Sequence, residues 1–165
     1  MPAYVAEKPE RGFTFLADEV RRKGPLSRGE VEAALQNYQD LATKAVESGD
    51  WNAWAEQFTD DAIYVEHQFG VLRGREAIRA WIVSTMAATG GQEFPVLWHM
   101  IDNDLVFTYI PIQYRAPDGG QPFQFVCGTV LCYAGDGMWC YEEDIYNAGE
   151  AARVNQLYRE AGEGG

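Results

Sequence analysis

The side chains in this sequence that could do chemistry are carboxyl and hydroxyl groups spaced two residues apart. Glu142 and Asp144 occupy alternate positions of one segment, and Tyr64 and Glu66 occupy alternate positions of another. Side chains two residues apart on a β-strand lie on the same face of its sheet. A carboxyl group that such a face buries among apolar neighbours has a raised pKa and can exchange a proton with a substrate. The spacing therefore favours acid–base chemistry by these groups.

Each of these residues also has a purely structural interpretation. Asp144 could be an exposed strand acid or the cap of a turn, and Tyr64 could be a core tyrosine whose hydroxyl is satisfied at the rim. The charges of Glu142 and Asp144 could repel each other and drive their two pKa values apart. We expect instead that both carboxyl groups are solvated at the mouth of a cavity. Glu66, if buried, needs Tyr64, Arg115 or a water molecule as its partner, because an unpaired buried charge is costly.

Two histidines complete the set of titratable candidates. His99 falls at the end of a predicted strand and is a candidate general base, whereas His67 has the opposite strand parity to Tyr64 and is the weaker candidate. Two histidines cannot build a three-histidine metal site, and the sequence has no calcium-loop, phosphate-loop or dinucleotide-binding glycine motif. We therefore expect neither a metal ion nor a cofactor.

The composition is that of one folded domain. The chain has 165 residues, of which 47% are hydrophobic and 13% aromatic, enough for a single core. Its 13 Lys and Arg against 25 Asp and Glu give a formal charge of −12, which repels nucleic acid and anionic membranes. The 3 cysteines, without a C-x-x-C spacing, and the polar start of the chain favour a reducing compartment. We expect a cytoplasmic protein with no nucleic-acid or membrane partner.

The sequence divides into an extension, a domain and a tail. Residues 1–26 lack clean periodicity except for a short helix predicted over 16–23, so we expect an extension that is mobile or lies on a partner subunit. Deleting residues 1–24 is then expected to leave the fold intact. Residues 27–148 are predicted to form the domain, and residues 149–165 a tail with one more short helix.

A long helix is predicted to open the domain. Ser27 and Glu30 have the spacing of a capping box, and apolar residues recur every three or four positions up to Gly49. The elements predicted after it are a short helix over 51–58, a strand over 62–68, a helix over 75–88 that ends at Gly90-Gly91, and strands over 93–100, 105–115, 122–134 and 138–146. This order predicts an α+β domain, with its helices on one face of a curved, mainly antiparallel sheet.

Three segments resemble the SnoaL-like branch of the nuclear transport factor 2-like superfamily. They are Gly49-Asp50-Trp51, the run from Phe58 to Tyr64 and the run from Leu72 to Ile78. The resemblance implies a cone-shaped barrel, in which the sheet wraps around the long N-terminal helix and encloses a deep apolar pocket. It also implies relatives that are cofactor-free acid–base enzymes, such as ketosteroid isomerases, scytalone dehydratases, polyketide cyclases and limonene-epoxide hydrolases, alongside non-catalytic members.

The resemblance to limonene-epoxide hydrolases implies roles for single residues. It places Asp144 at a retained catalytic aspartate, and it places Tyr64 and Glu66 where that family has a pocket tyrosine and asparagine. Tyr109 and Pro111 stand where that family has an arginine and a second aspartate. Because neither can replace those groups, the water-activating trio is missing.

The implied pocket also predicts ligand contacts. Tyr38 and Tyr109 could donate hydrogen bonds to a ligand carbonyl, and Tyr38 and Tyr64 could donate to a developing oxyanion. The residues predicted to contact a hydrophobic small molecule are Tyr38, Trp81, Tyr109, Val126, Glu142 and Tyr146.

Strand alternation predicts an aromatic outer face of the sheet. If Asp144 faces the pocket, Cys140, Glu142 and Tyr146 face it too. The large side chains then predicted to face outward are Phe123, Phe125, Leu131, Tyr133, Trp139 and Tyr141. Because so much aromatic surface would not remain in water, we expect a homodimer through this face.

Two functions from different classes remain open. The first is a cofactor-independent isomerase, cyclase, dehydratase or hydrolase that acts on a hydrophobic polyketide-, terpenoid- or steroid-like molecule. The second is a non-catalytic, dimeric ligand-binding or assembly module. Convergence of Asp144, Glu66 and Tyr64 within about 4–6 Å in a closed cavity would favour the enzyme. Scattered or exposed carboxyl groups would favour the binding module.

Overall fold

Four α-helices and seven β-strands make up the part of the chain that the computed structural model describes, residues 4–22, 24–89 and 91–163. The helices are α1 (Arg28–Ser48), α2 (Asn52–Ala55), α3 (Arg75–Thr89) and α4 (Ala148–Glu163). The strands are β1 (Phe58–Glu66), β2 (Gly70–Arg73), β3 (Gln92–Glu93), β4 (Trp98–Asp102), β5 (Leu105–Tyr114), β6 (Phe123–Gly135) and β7 (Met138–Tyr146). Predictions that fall on residues 1–3, Lys23, Gly90 and 164–165 lie outside the described residues.

All seven strands belong to one curved sheet. Its order is β2-β1-β7-β6-β5-β3, and β4 pairs with β5 beside that path. Every pair is antiparallel except β1 with β7, which run parallel. The predicted α+β class and the mainly antiparallel sheet are confirmed. The sheet of the described residues has two open edges, β2 at one end and β3 with β4 at the other, so the predicted barrel is open rather than closed.

Helix α1 packs against the inner, concave face of the sheet. Its buried stripe consists of Val31, Ala34, Leu35, Tyr38, Ala42 and Ala45. Gly49 ends the helix as predicted, with a left-handed φ of 75° and its N–H bonded to the carbonyl oxygen of Ala45. The predicted capping box is wrong. The Ser27 side chain makes no capping bond, and the Glu30 carboxylate instead accepts a hydrogen bond from the Tyr133 hydroxyl at 2.9 Å.

Several predicted boundaries shift for identifiable reasons. The helix predicted over 51–58 stops at Ala55, because Phe58 begins β1 and packs on Trp54 at a ring distance of 5.1 Å. The strand predicted over 93–100 is divided into β3 and β4 around Pro95, which has no N–H for the ladder. Strand β2 was not predicted. The predicted short C-terminal helix is the 16-residue α4.

The predicted orientation of β6 is reversed. Leu131 pairs with Glu142, and Thr129 pairs with Asp144, so these side chains share the inner face. Phe125, Leu131 and Tyr133 therefore face inward rather than outward, and Phe123 packs near α4 with Tyr158. The hairpin register, which alternation within one strand does not reveal, decides the face.

A β-bulge in β7 places two further side chains on the face opposite to the one predicted. The register between β6 and β7 shifts near Tyr133, which changes the alternation between Trp139 and Tyr141. Trp139, predicted to face outward, packs against Tyr38 of α1. Cys140, predicted to face the pocket, instead joins Tyr141 in a cluster on the outer face. Of the six large side chains predicted to form the outer face, Tyr141 alone lies there.

Residues 4–22, which we call the strap, cover part of the outer face. Ala17 is 0% exposed, and the strap around it packs on Ile63, Val65, Val71, Cys132, Cys140 and Tyr141. The predicted helix over 16–23 is one short 3₁₀ turn, Ala17–Glu19. The expectation that this segment is ordered only on a partner subunit is wrong for these residues, because they pack on their own sheet.

Polar contacts fix the strap at both ends. Glu7 exchanges two backbone hydrogen bonds with Val71, at 3.0 and 2.8 Å. Gly70, with a φ of 131°, permits this approach, since a Cβ there would lie 2.8 Å from the Glu7 carbonyl oxygen. Arg21 donates two hydrogen bonds of 2.8 Å to the carboxylate of Asp104. This ion pair lowers the pKa of Asp104.

No helix in the described residues combines the length and the apolar character needed to span a membrane.

Candidate active site

A cavity of about 200 Å³ lies between the inner face of the sheet and helices α1 and α3. Its wall is mainly aromatic and aliphatic. Its titratable side chains, from α1, β1, β6 and β7, are Tyr38, Tyr64, Glu66, Cys127, Glu142, Asp144 and Tyr146. None of the lining residues in the described part of the chain is Lys, Arg or His. The cavity is therefore acidic.

Strand register brings the carboxyl groups together. The parallel pairing of β1 with β7 sets Tyr64 beside Glu142 and Glu66 beside Asp144. The antiparallel pairing of β6 with β7 sets Thr129 on the other side of Asp144. Since all these side chains point to the concave face, three strands assemble one polar cluster in an otherwise apolar cavity.

Asp144 is held by three donors. The Tyr64 hydroxyl donates to its Oδ2 at 2.5 Å, and the Thr129 hydroxyl donates to its Oδ1 at 2.6 Å. The Cys127 thiol donates a weaker bond to Oδ1 at 3.6 Å. Burial raises the pKa of Asp144, and these hydrogen bonds oppose the rise because they stabilise the carboxylate. Asp144 thus combines a raised pKa with a well-supported ionised form.

Glu142 has fewer partners and is more deeply buried. The residue is 1% exposed, so the expectation that it is solvated at a cavity mouth is wrong. Its Oε1 accepts a hydrogen bond from the Tyr38 hydroxyl at 2.7 Å, and its Oε2 has no partner among the described residues. Burial and the nearby charge of Asp144 raise the pKa of Glu142 well above its usual range, while the hydroxyls of Tyr38 and Tyr64 oppose the rise. Glu142 therefore favours its protonated form.

Glu66 is the third carboxyl group of the cluster. It is 4% exposed, and its partners are the Tyr146 hydroxyl and the backbone N–H groups of Gln68 and Phe69, both at 2.8 Å. The side-chain partner of Glu66 is thus Tyr146, not Tyr64 or Arg115 as the sequence suggested. Arg115 pairs with Glu93 instead, at 2.7 Å. Burial raises the pKa of Glu66, and the three donors oppose that rise.

The tyrosine hydroxyls donate to carboxylates rather than to the cavity. Tyr38 bonds to Glu142, Tyr64 to Asp144 and Tyr146 to Glu66. Burial and the neighbouring carboxylates raise the pKa of both Tyr38 and Tyr64. The role predicted for these two tyrosines, donation to a developing oxyanion, therefore requires them first to release a carboxylate.

Seven of the ten predicted site residues line the cavity: Tyr38, Tyr64, Glu66, Trp81, Glu142, Asp144 and Tyr146. Tyr109, Val126 and His99 do not. Tyr109 stacks on Trp98 on the outer face, Val126 is 42% exposed beside it, and His99 is exposed on β4. The ligand contacts predicted for Tyr109 and Val126 are wrong in placement, because the residues of β5 and β6 that face the cavity are the alternate ones.

The cavity-facing residues of β5 are Ile110 and Ile112. These isoleucines are the sequence neighbours of Tyr109 and Pro111. Like those two residues, they cannot replace the arginine and the second aspartate of the limonene-epoxide hydrolases. His67 lies on the outer side, 2.9 Å from Glu143, and stacks on Phe13 of the strap.

Two cavity residues bonded to Asp144 were not predicted from the sequence. Thr129 and Cys127 occupy alternate positions of β6, and their roles follow from the pairing of Thr129 with Asp144. The signal that could have found them is the turn at Gly135-Asp136-Gly137, which fixes the register of the hairpin. Glycine in the left-handed region marks that turn, with φ values of 92° and 76° at Gly135 and Gly137.

Comparison with known proteins gives one family and a set of similar folds. A model of the SnoaL-like domain family matches residues 35–142. Similar solved structures include an epoxide hydrolase of M. tuberculosis described as LEH-like (TM-score 0.61, 18% identity, covering 81% of this chain and 94% of that one). Another is a putative polyketide cyclase of Xanthomonas campestris pv. campestris (TM-score 0.60, 20% identity, 77% and 98% covered).

A third similar structure has a ketosteroid isomerase-like fold and comes from Catenulispora acidiphila DSM 44928, in complex with trimethylamine. Its TM-score is 0.60 at 20% identity, with 79% of this chain and 95% of that chain covered. A search of curated proteins finds no match. At these identities the structural likenesses establish the fold.

Proposed function

Since the chain belongs to the SnoaL-like domain family, we propose that its cavity is the active site of a cofactor-independent acid–base enzyme for a small hydrophobic molecule. The observation that carries the proposal is the unequal support of two neighbouring carboxyl groups. Asp144 accepts three hydrogen bonds, whereas Glu142 accepts one and keeps an oxygen without a partner among the described residues. Paired carboxyl groups whose environments separate their pKa values are a common arrangement of an acid and a base.

This difference assigns a role to each group. Glu142, whose pKa is raised well above its usual range, keeps its proton to higher pH than a free glutamate and donates it to the substrate. Asp144, whose carboxylate its donors stabilise, accepts the proton that the substrate loses. Isomerisation, cyclisation, dehydration and hydrolysis all use such a pair.

The size of the cavity limits the substrate. About 200 Å³ exceeds the roughly 150 Å³ of an engineered cavity that holds benzene, so the space suits a molecule of one or two rings. The related folds of a putative polyketide cyclase and an epoxide hydrolase support a reaction on a small organic molecule. The complex of a related fold with trimethylamine supports access of small molecules to such a protein.

A non-catalytic ligand-binding module is the second candidate. It is favoured by the tyrosine hydroxyls, all of which donate to carboxylates, and by the apolar residues Ile110 and Ile112 on the wall. An enzyme needs the two carboxyl groups to titrate apart, whereas a binding module does not.

Carboxyl titration distinguishes the two candidates without a known substrate. We expect ¹³C-detected NMR of carboxyl-labelled protein to show Glu142 protonated at pH 7 and Asp144 titrating at lower pH, with both pKa values above those of free side chains, because burial penalises both ionised forms. Spectra of Glu142→Gln and Asp144→Asn would assign the signals. Ionisation of Glu142 below pH 5 would contradict the proposed acid and favour the binding module.

We also propose a homodimer, through a different set of outer-face residues from the set predicted. The strap leaves uncovered a patch formed by Trp98, Met100, Tyr109, Val126 and Ile145. Exposed apolar patches of this kind typically mark protein interfaces.

Sedimentation tests the dimer directly. At micromolar concentration we expect a species of about twice 18.5 kDa, and we expect Val126→Lys, which would bury a charge in the interface, to sediment as a monomer. Exposed Lys44→Glu on α1 is the control for a change of charge outside the patch. A wild-type chain that sediments only at 18.5 kDa would rule the dimer out.

A further inference from the structure

The wall of the cavity also indicates the chemical class of its ligand. Glu66, Glu142 and Asp144 line one cavity, and the described lining residues include no positively charged side chain. Buried carboxyl groups need hydrogen-bond donors or a cation. Glu66 and Asp144 obtain three protein donors each. Glu142 is the carboxyl group that still lacks a donor to one of its oxygens among the described residues.

Oε2 of Glu142 is a fully buried acceptor that belongs to a residue of the cavity wall. The residue is 1% exposed, and within the described ranges this oxygen has no hydrogen-bond partner. An acceptor left unsatisfied in a buried site is unfavourable. A ligand that brings an N–H donor to this oxygen would satisfy it, and a charged donor would form the stronger, charge-assisted bond.

Aromatic rings adjoin the same carboxyl groups. The ring of Tyr38, whose hydroxyl holds Glu142, lies 5.8 Å from that of Trp54. The ring of Tyr64, whose hydroxyl holds Asp144, lies 4.8 Å from that of Trp81. Aromatic faces attract cations, most strongly where water is excluded. The carboxyl groups and the rings therefore favour positive charge in the same part of the cavity.

An anionic ligand finds much less support. The tyrosine hydroxyls already donate to carboxylates, and the negative charges of Glu66 and Asp144 repel a further anion. The indole N–H groups of Trp54 and Trp81, two residues that line the cavity, are buried and lack partners among the described residues.

We propose that the cavity binds a small hydrophobic amine, whose ammonium N–H donates to Oε2 of Glu142 while its apolar part packs on the aromatic wall. The inference rests on the proposed function in taking this cavity as the substrate site, and it narrows the substrate class. A neutral amine that enters takes the proton of Glu142, and an ammonium ion that enters displaces that proton to solvent. Both routes give the same ammonium–carboxylate pair, in which the ammonium group of the ligand carries the proton that Glu142 supplies as the proposed acid.

Calorimetric titration with three probes of similar size tests the proposal: 2-phenylethylamine, 2-phenylethanol and 3-phenylpropanoate. We expect wild type to bind the amine at least about tenfold more tightly than the alcohol, and the carboxylate most weakly. Glu142→Gln keeps the size of the side chain and removes its charge. We expect it to weaken the amine at least about tenfold and to change the alcohol by less than about threefold. Glu143→Gln, on the opposite face of the same strand, is the matched control and should leave all three affinities unchanged.

Two outcomes would overturn the amine proposal. One is wild-type binding of the alcohol as tight as that of the amine, a comparison that needs no variant to fold. The other is equal affinity of wild type and folded Glu142→Gln for the amine. A different result would contradict the proposed function: NMR titration in which Glu142 and Asp144 titrate together. An enzyme that acts on neutral substrates would instead bind the alcohol well, which contradicts the amine proposal, and would still show two separated pKa values.

Discussion

Asp144→Asn is expected to lower turnover by about 10²–10⁴-fold, the usual contribution of a positioned general base. Asparagine keeps the size of the side chain, and its amide oxygen can still accept from one of the hydroxyls of Tyr64 and Thr129 while its NH2 group donates to the other, but it cannot take up a proton. Ligand affinity and melting temperature should change little. Steady-state kinetics on the first substrate found, followed from pH 4 to 10, would measure the effect.

The shape of the pH profile separates the two carboxyl groups. Wild-type turnover should fall at low pH, where Asp144 takes up a proton, and at high pH, where Glu142 loses one. Asp144→Asn should remove the acidic limb from its residual activity, and Glu142→Gln should remove the alkaline limb. Glu143→Gln, whose side chain bonds to Tyr141 and His67 on the outer side, should keep both limbs. Full turnover in Asp144→Asn would transfer the role of base to Glu66.

The fold was predictable where its signals are local. The stripe of α1 repeats every three or four residues and is interrupted by Gly49, so the helix and its end could be predicted from α1 itself. The segments that indicated the SnoaL-like resemblance are local too, and the family match confirms that resemblance. The strap escaped prediction because its anchor is a small residue, Ala17, in a segment without periodicity. Its order comes from Val71 and Asp104, far along the chain.

The candidate site was predictable in its residue types but not in its burial. Alternation correctly put Glu142, Asp144 and Tyr146 on one face. Two acidic residues so close together resemble a solvated strand, and nothing near them reveals otherwise. The donor that lets Glu142 be buried, Tyr38, lies 104 residues away on α1. Such a contact depends on packing, which sequence spacing alone does not encode.

Deleting residues 1–24 is expected to destabilise the protein severely, the reverse of the expectation from the sequence. The strap covers Ile63, Val65, Val71, Cys132, Cys140 and Tyr141, none of which is more than 3% exposed. Fully burying one large apolar side chain contributes about 1.5–3 kcal/mol, so losing the cover of several removes a large part of a typical 5–15 kcal/mol stability. At roughly 2–4 °C per kcal/mol, the melting temperature should fall by about 10 °C or more in scanning calorimetry.

Breaking the ion pair between Arg21 and Asp104 is a smaller perturbation of the strap than its deletion. Arg21→Ala leaves the carboxylate of Asp104, 3% exposed, without its main partner, and should cost about 1–3 kcal/mol. Because Arg21 lowers the pKa of Asp104, wild type should lose this advantage progressively as pH falls from the ordinary pKa of 3.8, where the unfolded chain takes up the proton, through the lower pKa of the folded chain, below which both states are protonated. Arg22→Ala, which removes the neighbouring exposed ion pair with Asp61 and keeps that of Arg21 with Asp104, is the control.

Thiol labelling shows which part of the molecule loosens when the strap is deleted or its ion pair is broken. Cys132 and Cys140 lie beneath the strap, whereas Cys127 lies on the cavity wall. Loosening the strap should therefore speed the labelling of Cys132 and Cys140, measured by mass spectrometry under native conditions, and leave Cys127 protected. Equal acceleration at all three would instead indicate global unfolding. A truncated chain with an unchanged melting temperature and three protected thiols would show that the strap adds nothing to the core, and that the sheet holds its outer face dry without it.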